Sequence, residues 1–134
     1  MHLYFADTWY FLAILDRRDG HHSRARRLSF TIPDAAIVTH DAVLSEVLTH
    51  FADDGPYSRA VAVNATRHAL RAFEVIPSDR AHFLAALDRY AARPDKEYSL
   101  VDCMSMVVME QRGIRHVLTN DHHFSQAGFI IVSG

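Results

Sequence analysis

Apolar and polar positions follow two rhythms along the chain: short β-branched or aromatic runs, and longer stripes at helical spacing. The runs at 3–6, 36–39, 73–76, 114–118 and 129–132 each have the length of a buried strand. Between them the spacing predicts helices over 9–18, 21–30, 41–52, 57–72, 79–92 and 99–112, and one or two further turns at 122–127. The first helix, with Trp9, Leu12 and Ala13, is apolar over most of its surface. Asp19-Gly20, Pro33, Asp53-Asp54-Gly55-Pro56, Pro94 and Gly113 supply the breaks, while Ser78 and Ser99 stand where helix caps are expected.

Strands alternating with helices predict an α/β fold, a single domain over 1–134 with a parallel sheet covered on both faces. Ligands of such sheets bind outside the carboxyl ends of the strands. Position along the chain therefore acquires chemical meaning. Asp7 directly follows the first strand, and Asp121 comes just after the strand ending at Leu118, so both are expected at that edge. Asp102 lies in the first turn of a helix whose Val101, Cys103, Met104, Met106 and Val107 predict burial on nearly all sides. Glu46 shares a helical stripe with Val43, Val47 and His50. A carboxylate on an apolar stripe is costly unless something compensates it.

Each acid also has a purely structural explanation. Asp7 or Thr8 can cap the helix that follows, Ser99 and Asp102 match the capping-box spacing, and Asn120 or Asp121 can cap the turns after them. Glu46 can reach solvent beyond the core edge. Jointly these explanations weaken, because four carboxylates near one crevice repel and a divalent cation is the natural way to hold them. All-oxygen ligation selects Mg2+ or Mn2+ over zinc. Such an ion lowers the pKa of a water and polarises a phosphoryl oxygen, and a pair of ions clamps both oxygens of an in-line displacement. The reaction class implied is hydrolysis of a phosphodiester, with the acids as ligands rather than as a covalent nucleophile.

Composition narrows the partners. A formal charge of −2 argues against holding nucleic acid by bulk electrostatics, although Arg17, Arg18, Arg24, Arg26 and Arg27 crowd one short segment. Those arginines suit phosphate contacts or, equally, a solvated helix face. No apolar run reaches the roughly 18 residues a membrane span needs, and residues 1–7 lack the basic start and long apolar stretch of a secretory signal. Cys103 is the sole cysteine, set among apolar neighbours as inert core, so a reducing cytoplasm is expected. His21-His22 and His122-His123 lie in polar surroundings and are expected at the surface. Ser45 and Ser105 have no histidine and acid at diagnostic positions, and with 5 glycines and no phosphate loop a nucleotide cofactor has no support.

The acid-bearing blocks resemble those of PIN-domain nucleases, specifically the VapC-type ribonuclease toxins of toxin–antitoxin pairs. The likeness runs through Phe5-Ala6-Asp7-Thr8, Leu44-Ser45-Glu46-Val47-Leu48, Ser99-Leu100-Val101-Asp102-Cys103-Met104-Ser105, Leu118-Thr119-Asn120-Asp121-His122-His123-Phe124 and Ala127-Gly128-Phe129. It covers essentially the whole chain, and the order and separation of the blocks carry it. The resemblance implies a PIN-like five-stranded parallel sheet flanked by helices, with the four acids around one or two Mg2+ or Mn2+ ions. By that likeness Asp7 and Asp102 ligate metal directly, and Asp121 does so directly or through water. Glu46 binds a second metal or positions the attacking water, and Thr8, Ser105, Thr119 and Asn120 orient the acids. It further implies an RNA substrate, a homodimer, and a small antitoxin whose segment lies in an apolar groove, for which Trp9, Tyr10 and Phe11 are candidates. Ordinary core packing explains those aromatics equally well.

Three other readings compete. His40-Asp41 is an HD dipeptide, but the HD phosphohydrolases it resembles are all-helical, and the strand runs oppose that; alanine at His40 separates the two readings. A receiver-type phosphoacceptor wants paired acids after the first strand and a lysine after a late one, whereas Asp7 stands alone and Lys96 is in a loop. A PIN-like domain that only binds RNA or protein keeps the fold without needing the acids, and retention of all four opposes it.

Overall fold

Each apolar run becomes a strand that starts one or two residues later than expected, and β2 runs one residue further, to His40. β1 spans Tyr4–Ala6, β2 Ile37–His40, β3 Glu74–Ile76, β4 His116–Leu118 and β5 Ile130–Val132. The helices are α1 (Thr8–Leu15), α2 (His22–Thr31), α3 (Asp41–His50), α4 (Gly55–Ala72), α5 (Arg80–Ala92), α6 (Leu100–Arg112) and the short α7 (His123–Gln126). These elements come from a computed structural model that describes residues 2–133.

All four strand pairings are parallel, in the order β3-β2-β1-β4-β5. Phe5 of β1 stands opposite Val38 of β2 and Val117 of β4, and all three are buried. Burial of a side chain such as Phe5 contributes about 1.5–3 kcal/mol. Helix α1 packs on α2 and α3, α3 on α4, and α5 runs along α6. The buried methionines Met106 and Met109 of α6 join Phe5, Leu118 and Phe124 in one hydrophobic core.

Several boundaries depart from the sequence expectation. Helix α3 ends at His50 rather than 52, and α4 takes Gly55-Pro56 from the expected break as its first turn. Three further departures have a local polar reason. Helix α1 stops at Leu15 rather than continuing to 18, because Asp16 takes the Arg18 backbone N–H at 2.9 Å and its Nε at 3.2 Å. Asp79, not Ser78, caps α5, accepting from the His82 amide at 2.8 Å, while the Ser78 amide donates to Asp41. After α6, Gly113 turns left-handed (φ 67°) and the Ile114 amide folds back on Met109 O at 2.8 Å. That closure of the helix end removes Ile114 from the strand, so β4 begins at His116.

Candidate functional site

The chain lays down β2 and β3 on one side of β1, then returns to place β4 and β5 on the other. The carboxyl ends of β1 and β4 therefore flank the switch point, where a crevice opens in sheets of this kind. Asp7 is the first residue beyond β1 and Thr119 the first beyond β4. The Asp7 amide donates to Leu118 O at 3.2 Å, and Thr119 Oγ1 donates to Asp7 Oδ2 at 2.8 Å. Asp7 stands at the cap position of α1 yet makes no side-chain cap bond, so the capping explanation fails for it. Its carboxyl turns to the β4 side and is 6% exposed. Burial pushes its pKa up to about 7; the Thr119 hydroxyl and Thr8 amide oppose the rise, and the charges of Asp102 and Asp121 add to it.

The Thr119 hydroxyl also accepts from the Asp121 amide at 3.1 Å, joining the two acid-bearing loops through one oxygen. Asp121 Oδ1 accepts from the His123 amide at 2.9 Å, the local turn that starts α7. Asp102 is brought in by α6. Its capping box is real, with the Asp102 amide donating to Ser99 Oγ at 3.0 Å and the Ser99 amide to Asp102 Oδ2 at 3.1 Å. The same carboxylate serves a second purpose, because Oδ2 lies 3.5 Å from His123 Nδ1. Burial raises the Asp102 pKa, the Ser99 amide opposes it, and Asp121 raises it further.

Glu46, half-buried on α3, accepts from Thr8 Oγ1 at 2.6 Å, which ties it to the residue after Asp7. Ser105 is fully buried with no hydrogen-bond partner, and Asn120 turns away from the acids, its Nδ2 3.4 Å from His21 Nε2.

The expectation that both histidine pairs lie at the surface is overturned: His21 and His22 are half-buried, the latter with Nδ1 2.8 Å from Ala13 O. His122 is exposed, but His123 is not a surface residue: its side chain is 18% exposed, and Nδ1 lies 3.2 Å from Asp121 Oδ1. One ligand atom each from Asp102, Asp121 and His123 lie within 4.8 Å of one another. The signal was the D-x-H spacing, since a turn closed by Asp121 carries the residue two places on back over that carboxylate.

The donor set fits a divalent cation. Asp7 is buried against two further carboxylates without a positive partner of its own, and desolvation plus repulsion are the penalties a cation removes. Asp7 and Glu46 stand outside the three-atom cluster. Asp7 is coupled to it by charge, and Glu46 is linked through Thr8.

A family profile described as PIN domain matches residues 4–130. The chain belongs to the PIN domain family. Its PIN domain is 32% identical over 133 residues to the 23S rRNA-specific endonuclease VapC20 of Mycobacterium tuberculosis, with 96% of each chain covered. The crystal structure of VapC20, a Sarcin-Ricin loop cleaving toxin, superposes with a TM-score of 0.86 at 29% identity over 95% of this chain and 96% of that one. The DNA-bound VapBC of Salmonella typhimurium shares the fold alone, with a TM-score of 0.68 at 16% identity and 98% of each chain covered.

Away from the acids, this PIN domain has an apolar cavity of about 250 Å³ lined by Tyr10, Phe11, Ile14, Leu15, His68 and Phe73 among others. Tyr10 and Phe11 line this cavity but are buried members of the hydrophobic core, as ordinary packing requires, whereas Trp9 packs its ring 5.7 Å from that of His21. The arginine segment is split. Arg18 pairs with Asp16, Arg24 contacts His21, and Arg26 lies over the Phe30 ring at 5.5 Å.

Proposed function

We propose that this PIN domain is a divalent-metal-dependent endoribonuclease and the toxin of a toxin–antitoxin pair, with a structured ribosomal RNA loop as its substrate class. The observation that carries the reading is the buried Asp7 carboxyl, raised to about 7 beside Asp102 and Asp121 and held by Thr119. Such an arrangement is a cost to the fold alone and an asset to a cation site. The substrate class follows from the full-length likeness to VapC20.

Asp7, Asp102 and Asp121 hold the cation, with Mg2+ and Mn2+ both compatible with their oxygens. A cation held there would polarise a phosphoryl oxygen and lower the pKa of a water. The chain's own residues do the rest. Thr119 donates to Asp7 Oδ2 and so fixes which Asp7 oxygen faces the crevice. Its second contact, from the Asp121 amide, sets the spacing of the two acid loops. Glu46, oriented by Thr8, would position the attacking water or a second ion.

The partners are a small antitoxin, which inserts an apolar segment into the cavity beside Tyr10 and Phe11, and a second copy of the chain. No helix among the described residues is long and apolar enough to cross a membrane. We place the protein in the cytoplasm, where ribosomes are.

The test incubates purified protein with a synthetic 23S rRNA stem-loop, in Mn2+ or Mg2+ and in chelator, and maps the cut ends. Discrete cleavage that needs the cation and is lost in Asp7→Asn is expected. RNA binding without cleavage in every cation overturns the reading in favour of a binding-only domain.

A further inference from the structure

The all-oxygen site read from the sequence leaves the His123 imidazole without a task, yet the fold delivers it between two of the acids. Its Nδ1 is 3.2 Å from Asp121 Oδ1 and 3.5 Å from Asp102 Oδ2. The atom is shut off from solvent and hydrogen-bonds to neither oxygen. The ring is held in place by the edge of Tyr98, 5.7 Å between centroids, and by the backbone bond from the His123 amide to Asp121.

The spacing has a simple reading. Metal–ligand bonds of about 2.1 Å in an octahedron put adjacent ligands about 3 Å apart and opposite ones about 4.2 Å apart. Both nitrogen–oxygen separations are near the first value. A cation shared by the three atoms satisfies this close approach, as does an imidazolium paired with the two acids, and the experiment below separates the two.

We infer that His123 Nδ1 ligates the divalent cation together with Asp102 and Asp121, forming a mixed nitrogen–oxygen site that favours Mn2+ over Mg2+. The inference rests on the metal-dependent reading of the site given above and revises its ligand chemistry. Mg2+ takes oxygen donors and keeps its waters, whereas imidazole nitrogen suits transition metals. A single nitrogen in the set therefore discriminates between two ions that carboxylates alone accept alike.

The experiment strips the full chain with chelator, loads it with one equivalent of Mn2+, and records pulsed electron paramagnetic resonance spectra. A nitrogen-14 coupling of a directly bonded imidazole is expected, lost in His123→Asn while Mn2+ still binds. Mg2+ competition adds a second measure. The excess of Mg2+ needed to displace half the Mn2+ should fall about tenfold in His123→Asn. Bound Mn2+ with no nitrogen coupling in the unaltered protein overturns the inference, and the wild-type spectrum gives that answer even if the variant fails to fold. His123 is then an ion-pair partner of the acids only, and chelator-sensitive RNA cleavage leaves the nuclease reading standing. Failure to bind Mn2+ at all overturns both.

Discussion

Two clusters of acids and imidazoles sit at the carboxyl edge of the same sheet, one beyond β1 and β4 and the other beyond β2 and β3. In the second, every nearby carboxylate is already engaged. Asp41 accepts from the Ser78 amide at 3.1 Å, and Asp79 accepts from both the amide and Nδ1 of His82. The His82 amide holds the Asp79 pKa below its usual range. His82 passes its other nitrogen to Gln111 at 3.1 Å, and His40 caps α3 by accepting from the Ala42 amide at 3.0 Å. In the first cluster the shifts run the other way, with burial raising Asp7 and Asp102. Similar residue types at neighbouring strand ends thus do opposite things. Both clusters close turns with their acids, but only the first also buries its carboxylates beside one another, so that desolvation outweighs the hydrogen bonds they accept. The difference marks where an external cation is wanted.

The sharpest way to break this contrast is to remove one acid from each side. Asp7→Asn should lower the initial rate of RNA stem-loop cleavage by at least about a thousandfold, with an unchanged far-ultraviolet circular dichroism spectrum. Asp79→Asn, on the closed side, should change the rate by less than about twofold. Equal losses would erase the distinction.

Acid–base linkage sharpens it next, in protein held in chelator. Folded Asp7 keeps its proton to about pH 7, whereas the unfolded chain releases it near 3.8. The folded state therefore binds more protons across that window, and stability falls as pH rises through it, by on the order of 4 kcal/mol. The shift at Asp102 has the same sign. Urea unfolding midpoints at pH 5 and pH 8 measure the slope, which Asp7→Asn should flatten and saturating Mn2+ should offset.

Thr119→Val tests whether orientation of Asp7 matters beyond its presence. Loss of the 2.8 Å bond should cost about 10- to 100-fold in cleavage, with Thr119→Ser retaining most of the rate.

The smallest effect on chemistry belongs to His40. It is fully buried, and burial, then His82, lowers its pKa. His40→Ala should destabilise the protein by about 2–3 kcal/mol through the lost cap and a cavity, while kcat stays within about twofold. The native contribution of His40 is present above pH 6.5 and is lost as pH falls through its lowered value. A collapse of kcat in folded His40→Ala would favour the HD reading.

The open side of this contrast was legible in the sequence, the closed side was not, and the missing parts have identifiable causes. Alternation of strand runs and helical stripes placed Asp7 and Asp121 at strand ends, because that placement depends only on order along the chain. The capping box of Ser99 and Asp102 was legible too, but as an alternative to function. The structure shows one carboxylate serving both, its Oδ2 facing the Ser99 amide and His123 together. His123 was misplaced because polar neighbours in sequence say nothing about a turn that folds one imidazole inward and leaves the next outward. Element ends were missed where side chains captured backbone groups, as Asp16 does with Arg18 and Asp41 with Ser78. Those captures depend on through-space partners that hydrophobic periodicity does not encode.

Isothermal titration of Mn2+ into chelator-stripped protein, compared with Asp7→Asn and Asp79→Asn, asks directly whether the open cluster is a cation site. Saturable binding to the unaltered chain and to Asp79→Asn, weakened at least about tenfold in Asp7→Asn, is the predicted result. Equal binding by all three proteins, or none by the unaltered chain, would contradict it.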